Sequence, residues 1–253
     1  MTRPLALVTG ATGGLGRACA TALYEEGYAL GLLARDEQAL SGLADELIRR
    51  GAEVHTAVAD LRSTTSAEQA VQRLTGHGEL RALVNAAGVI SLGTIAEVDA
   101  EEWDRVVDSK LRAAYVCCRT ALPHLAEQAS ARNAGTGGTA IVNIASTSGR
   151  TRGIHTSPAY VAANAGIIGL TMSLAAQCAP LGVRVNCVAP GLISTPMLRV
   201  YNVQQLTAMR RMIPAGRFAR PAEIAQAVVF LATDRASYIT GETLNVNGGT
   251  FMV

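Results

Sequence analysis

The sequence predicts an α/β fold built on one doubly wound parallel sheet with helices on both faces. Three observations predict it. Short β-branched or Leu-rich runs alternate with longer stretches of helical pattern. The runs are almost continuously apolar, as strands covered on both faces must be. The first run ends in a glycine-rich turn that opens into a helix.

Seven strands are expected, at residues 5–9, 29–34, 53–57, 82–85, 140–145, 183–188 and 243–246. Each is a short apolar run bounded by turn-forming residues. Helical patterns lie between them, at 14–26, 37–50, 64–75, 100–128, 159–180 and 221–232. All exceed ten residues, long enough for the crossovers that parallel strands need. Segments 130–139 and 146–158, rich in Gly, Ser, Thr and Asn, are expected as loops. The stretch 190–214 is less regular and is expected as a flap. The chain has 253 residues, no internal repeat and no linker, so residues 1–253 are read as a single domain.

Composition excludes several functions. Net charge is +2, charged residues make up 17%, and no like-charged block occurs. An electrostatic nucleic-acid or membrane-surface partner is therefore not expected. No apolar run is expected to reach the ~18 residues of a membrane span. Met1-Thr2-Arg3-Pro4 leads straight into a strand, so no signal peptide is expected and the location is read as cytoplasmic. The cysteines (Cys19, Cys117, Cys118, Cys178, Cys187) lack C-x-x-C spacing and have apolar neighbours, so they read as reduced core residues. Four scattered histidines give no metal-ligand spacing. Of 22 basic residues, 21 are Arg; the sole lysine is Lys110.

The turn Thr9-Gly10-Ala11-Thr12-Gly13-Gly14-Leu15-Gly16 lets backbone approach a pyrophosphate at a helix N-terminus. Gly10, Thr12, Gly14, Leu15 and Gly16 are the candidate contacts. The second strand ends in Leu33-Ala34-Arg35-Asp36. An acid at position 34 would bind a ribose 2′-hydroxyl; Ala34 followed by Arg35 suits a 2′-phosphate and hence NADP(H). The alternative is a solvated Arg35 with Asp36 on the ribose. Asp60 and Leu61 follow the third strand and are placed to meet adenine. Asn85-Ala86-Ala87-Gly88 ends the fourth strand near the cofactor ribose.

Taken together, Thr9-Gly10-x-x-x-Gly14-x-Gly16, Asn85-Ala86-Ala87-Gly88, Ser146 with Tyr160, and Pro190-Gly191 followed by Ile193-x-Thr195 resemble the short-chain dehydrogenases/reductases. The resemblance spans the whole chain and is strongest to the 3-oxoacyl-(acyl-carrier-protein) reductases, whose tail is similar to Tyr238–Gly249 here. It implies a Rossmann-type NADP-binding domain. It also implies Tyr160 as proton donor, Ser146 on the same substrate oxygen, and Pro190, Gly191, Ile193 and Thr195 beside the nicotinamide. Relatives carry a Lys four residues after the Tyr and an Asn on the preceding long helix. Here Asn164 fills the Lys position and Lys110 the Asn position.

The resemblance thus implies a catalytic set of Ser146, Tyr160, Lys110 and Asn164, with Tyr160 and Asn164 also on the ribose. A free tyrosine has a pKa of about 10, and a nearby ammonium lowers it. Lys110 is expected to reach towards Asn164 and Tyr160 in place of a bridging water. The alternatives are a Lys110 pointing to solvent or an interface, and a weakened site.

The reaction expected is NADPH-dependent reduction of a keto substrate, 3-oxoacyl or polyketide-like, as a small molecule or acyl thioester, free or carrier-bound. Ala176 replaces an Arg that carrier-dependent relatives place there; Arg132 is a weaker candidate for that role, and His155 for a substrate contact. Trp103 reads as packing. Two other classes fit the same residues: a degenerate NADP-binding partner subunit, and a non-redox lyase or isomerase. The resemblance further implies a homotetramer joined through the two long helices and the tail Phe251-Met252-Val253.

Overall fold

The structure, a computed structural model, describes residues 3–131, 138–153 and 155–252. Seven parallel strands are ordered β3-β2-β1-β4-β5-β6-β7. They are β1 (Leu5–Thr9), β2 (Ala29–Ala34), β3 (Val54–Val58), β4 (Leu80–Asn85), β5 (Thr139–Ile144), β6 (Val183–Pro190) and β7 (Thr243–Val246). At the carboxyl end, Thr9 of β1 is flanked by Leu33 of β2 and Asn85 of β4. The chain therefore winds outwards from β1 in both directions. A crevice opens at that switch point.

Every residue of β1, β2 and β4 is buried, which is why their sequences show no polar alternation. Edge strand β3 is only partly buried. On one face of the sheet pack α1 (Gly14–Glu25), α2 (Glu37–Arg49) and a late helix at Pro221–Ala232, through Leu23, Leu43, Leu47 and Val228. The other face takes α3 (Thr64–Thr75) and two long helices described next, through Val71, Leu74, Cys117 and Leu125. A fully buried Leu contributes ~1.5–3 kcal/mol, so these two layers carry the stability of the sheet. All five cysteines are buried and free.

The helix expected over 100–128 is interrupted. It runs as α4 (Ala100–Val107), a π-helical turn at Asp108–Arg112, and α5 (Ala113–Ala131). An Arg112–Asp108 ion pair of 3.1 Å spans the π turn. Such turns insert one residue, shift the helical register, and recur at functional sites. Lys110 sits in the middle of this one.

The next helix, α6 (Pro158–Cys178), begins with a well-made cap: Pro158 is in its first turn and the Ser157 side chain accepts from the Tyr160 N–H at 3.2 Å. By length and composition Pro158–Leu181 would suffice to cross a membrane, which corrects the expectation that no run does. In the fold this helix packs on β6.

The flap is also more regular than expected. It contains α7 (Val203–Arg211), opened by a reciprocal box in which Asn202 Oδ1 accepts from Gln205 N at 2.8 Å and Gln205 Oε1 from Asn202 N at 2.9 Å. The late helix is α8 (Pro221–Ala232). Arg132 and Val253 lie outside the described residues. Trp103 is 41% exposed on α4, so it is not the packing residue expected.

Candidate active site

The carboxyl ends of β1 to β6 line one cavity of about 1170 Å³. Of the residues singled out in the sequence, Gly10, Thr12, Gly14, Leu15, Gly16, Arg35, Asp60, Leu61, Ala86, Ala87, Gly88, Lys110, Ser146, Tyr160, Pro190, Gly191, Ile193 and Thr195 line it; so does His155. Two do not. Asn85 is buried and turns its amide into the sheet, donating to Asn143 Oδ1 at 2.9 Å and to Cys118 Sγ at 3.2 Å. Its side chain is therefore placed between β4 and β5. Asn164 is 0% exposed and lies behind the wall.

The turn after β1 fits a dinucleotide phosphate. Gly10 has φ +64°, a conformation that disfavours a side chain, and a Cβ there would stand 2.8 Å from Ala87 Cα. A Cβ on Gly16 would stand 2.1 Å from the Gly10 carbonyl oxygen. The N-cap of α1 is Gly13, which makes no side-chain cap hydrogen bond to the first amides of α1.

The adenosine end is basic. Asp36 is committed to capping α2, accepting from Ala39 N at 2.9 Å, while Arg35 is exposed beside it. Arg62, which the sequence reading missed, also lines the cavity and grips Asp60 through Nη2 at 2.7 Å and Nε at 3.1 Å. That guanidinium holds the Asp60 carboxyl below the usual carboxylate range, and Arg35 acts in the same direction. The signal for Arg62 was weak: an Arg two residues after Asp60 with no periodic meaning.

At the other end stand Ser146, Tyr160 and Lys110. Ser146 follows β5, and its Oγ accepts from Ser148 N at 3.1 Å, which fixes the rotamer. Burial pushes the Tyr160 phenol up; the Ser146 hydroxyl and the Asn164 side chain beside it pull the other way. Asn164 Nδ2 donates to the Tyr160 carbonyl at 2.8 Å, one turn back along α6. Its Oδ1 is buried without a hydrogen-bond partner among the described residues. An amide is shorter than a lysine stem, and one of its two N–H donors is spent on its own helix. The Asn164 side chain is thus not among the cavity-lining residues, where the ribose contact was expected.

Lys110 points inwards, not to solvent. It is 6% exposed, and its Nζ donates to the Ile144 carbonyl at 3.0 Å. The expected bond to Tyr160 or Asn164 is not made. The amine lies against Gly88, where a Cβ would stand 3.2 Å from Nζ. Among the described residues no carboxylate pairs with it, and burial pulls its pKa down from 10.5 to about 8.

Residues 10–250 match the family model described as enoyl-(acyl carrier protein) reductase. The chain is 35% identical over 249 residues to the 3-oxoacyl-(acyl-carrier-protein) reductase FabG of Staphylococcus aureus, with 98% of each chain covered. It belongs to the short-chain dehydrogenases/reductases. As a member of that family it is an oxidoreductase working between a hydroxyl and a carbonyl. The Vibrio harveyi 3-oxoacyl-(acyl-carrier-protein) reductase FabG is 37% identical, again over 98% of both chains. Among solved structures, the 3-oxoacyl-(acyl-carrier protein) reductase of Brucella melitensis superposes with a TM-score of 0.91 at 29% identity, covering 99% of this chain and 92% of that one. A Beutenbergia cavernae protein assigned as an NAD(P)-dependent gluconate 5-dehydrogenase, holding NADP at low occupancy, gives 0.90 at 32% identity, covering 98% and 96%. Each of these matches covers at least 98% of this short-chain dehydrogenase/reductase.

Proposed function

We propose that this short-chain dehydrogenase/reductase is an NADPH-dependent ketoreductase acting on a 3-oxoacyl or polyketide-like substrate, free or carrier-bound. The observation that carries the reading is the pairing of Ser146 with a phenol, Tyr160, whose proton is retained by burial. A protonated phenol is the form that donates to a carbonyl being reduced. NADPH supplies the hydride; the chain orients its partners and moves the proton. The Gly10–Gly16 turn and α1 amides would hold the pyrophosphate, Arg35 and Arg62 the adenosine end, and Pro190, Gly191, Ile193 and Thr195 the nicotinamide. Ser146 would polarise the keto oxygen and Tyr160 protonate it.

Lys110 supplies the charge that relatives root on α6. No direct bond to Tyr160 is required. The π turn at Asp108–Arg112 delivers the amine to the cavity wall. Assembly as a homotetramer belongs to the same proposal; Tyr115 on α5 and Met172 on α6 are 46% and 55% exposed in the single chain.

The direct test is NADPH consumption against a panel of β-ketoesters, β-ketoacyl thioesters and diketones, with alcohol product identified. Tight NADPH binding without turnover across the panel would leave the protein a partner subunit. Product without loss of NADPH absorbance would make it a lyase or isomerase.

Two expected results follow from the site. Arg35→Ala raises the KM for NADPH by about 10–100-fold, the worth of one charged hydrogen bond, and changes that for NADH little. Steady-state kinetics with both cofactors checks it. Because burial keeps Tyr160 protonated, alcohol oxidation with NADP is slow at neutral pH and keeps rising through the alkaline range until the phenol ionises. A pH profile of the oxidative rate checks this.

A further inference from the structure

Tyr201 lies on the flap between Pro196–Val200 and α7, yet it folds back to line the cavity and is 6% exposed. Its phenol is near enough to Tyr160 for a charge on one to disfavour ionisation of the other, and burial pushes it up to about 12. It therefore remains a hydrogen-bond donor throughout the working range of the enzyme. Its one hydrogen bond among the described residues goes to the His155 carbonyl at 3.4 Å. That is far longer than the ~2.7–2.8 Å usual between oxygens.

His155 carries the one non-glycine residue φ in the left-handed region among the described residues, +52°. Such a conformation costs on the order of 1–3 kcal/mol and persists where surrounding structure enforces it. Apolar Leu198, Met209 and Met212 line the same cavity, together with polar His155 and Thr156. A weakly engaged donor in such a wall can fix how a ligand is oriented. The proton chemistry assigned above to Ser146 and Tyr160 makes no use of it.

We propose that Tyr201 is a specificity-determining residue that donates its hydrogen bond to a second substrate oxygen, selecting 1,3-dicarbonyl compounds over simple ketones. The inference rests on the ketoreductase reading. Ser146 and Tyr160 engage the oxygen being reduced, and the neighbouring Tyr201 takes the ester or thioester oxygen two carbons away. Bond formation replaces the long contact to His155, so little is given up when substrate binds. A site that makes such a bond rejects analogues lacking the acceptor, because its own donor is then left poorly satisfied.

The test compares wild type and Tyr201→Phe on two substrates of equal chain length. One is an alkyl β-ketoester. The other is a trifluoromethyl ketone, activated but without a second carbonyl. Phe keeps the ring and its packing, and NADPH binding by fluorescence reports that the fold is intact. The ratio of kcat/KM for the β-ketoester over the ketone is expected to fall at least about tenfold, chiefly through KM of the β-ketoester. An unchanged ratio, with both substrates slowed alike or neither affected, overturns the assignment of Tyr201 while leaving the ketoreductase reading in place. A wild type that reduces neither substrate overturns both.

Discussion

Replacing Lys110 with Met is expected to make the protein more stable and nearly inactive. The two effects have one cause. The amine is buried, without a carboxylate partner among the described residues, and its pKa falls from 10.5 to about 8. Below pH ~8 the native state must carry a charge that the unfolded chain hydrates freely. Between pH ~8 and ~10.5 the unfolded state binds more protons than the native one, so stability rises with pH across that window. The penalty is present in full below it and amounts to roughly 3 kcal/mol. Met keeps the unbranched stem and removes the charge. Losing the bond to the Ile144 carbonyl returns about 1 kcal/mol. The net gain of about 2 kcal/mol corresponds to a Tm higher by ~4–8 °C. Against that, kcat/KM for keto reduction falls on the order of 100-fold, the worth of ~2–3 kcal/mol at the transition state. Thermal melts at pH 7 and at pH 10 separate the terms, because the stability gain should shrink at the higher pH. A variant that is less stable at pH 7 would show that the amine is not the burden described.

The second large effect is expected at the phosphate turn. Gly16→Ala puts a methyl group 2.1 Å from the Gly10 carbonyl oxygen and 3.0 Å from Ala11 Cα. Both neighbours are backbone, so relief requires the turn to open. Overpacking of that kind costs ~1–3 kcal/mol or more. It also displaces the amides at the start of α1. NADPH affinity should drop beyond measurement by fluorescence titration, while far-ultraviolet circular dichroism still reports a folded chain. Wild-type affinity in this variant would mean that the turn does not hold the phosphates.

The sheet was legible in the sequence because burial on both faces leaves β1 and β2 almost continuously apolar, and the glycine turn after β1 marks the switch point. The resemblance placed Ser146, Tyr160 and the exchanged Lys110 and Asn164. What lay beyond reach has physical reasons. One inserted residue in a helix leaves the apolar pattern almost unchanged, so the π turn at Asp108–Arg112 did not show. Prolines flanking the flap obscured α7, although Asn202 and Gln205 spell its capping box. Arg62 and Tyr201 reach the cavity only through tertiary folding, which carries no local periodicity. Asn85 misled because its backbone ends a strand at the cavity while its amide turns the other way.

The proposed role of Lys110 is to supply, from the π turn, the charge that relatives root on α6. Reduction of a β-ketoester by NADPH, followed against pH in wild type, Lys110→Ala and Lys110→Asn/Asn164→Lys, tests it most directly. In wild type, kcat/KM should decline above pH ~8 as Lys110 loses its proton. Lys110→Ala should be slow at every pH. The double exchange should recover activity and move the decline to higher pH. Lys110→Ala matching wild type in rate and pH profile would contradict the claim.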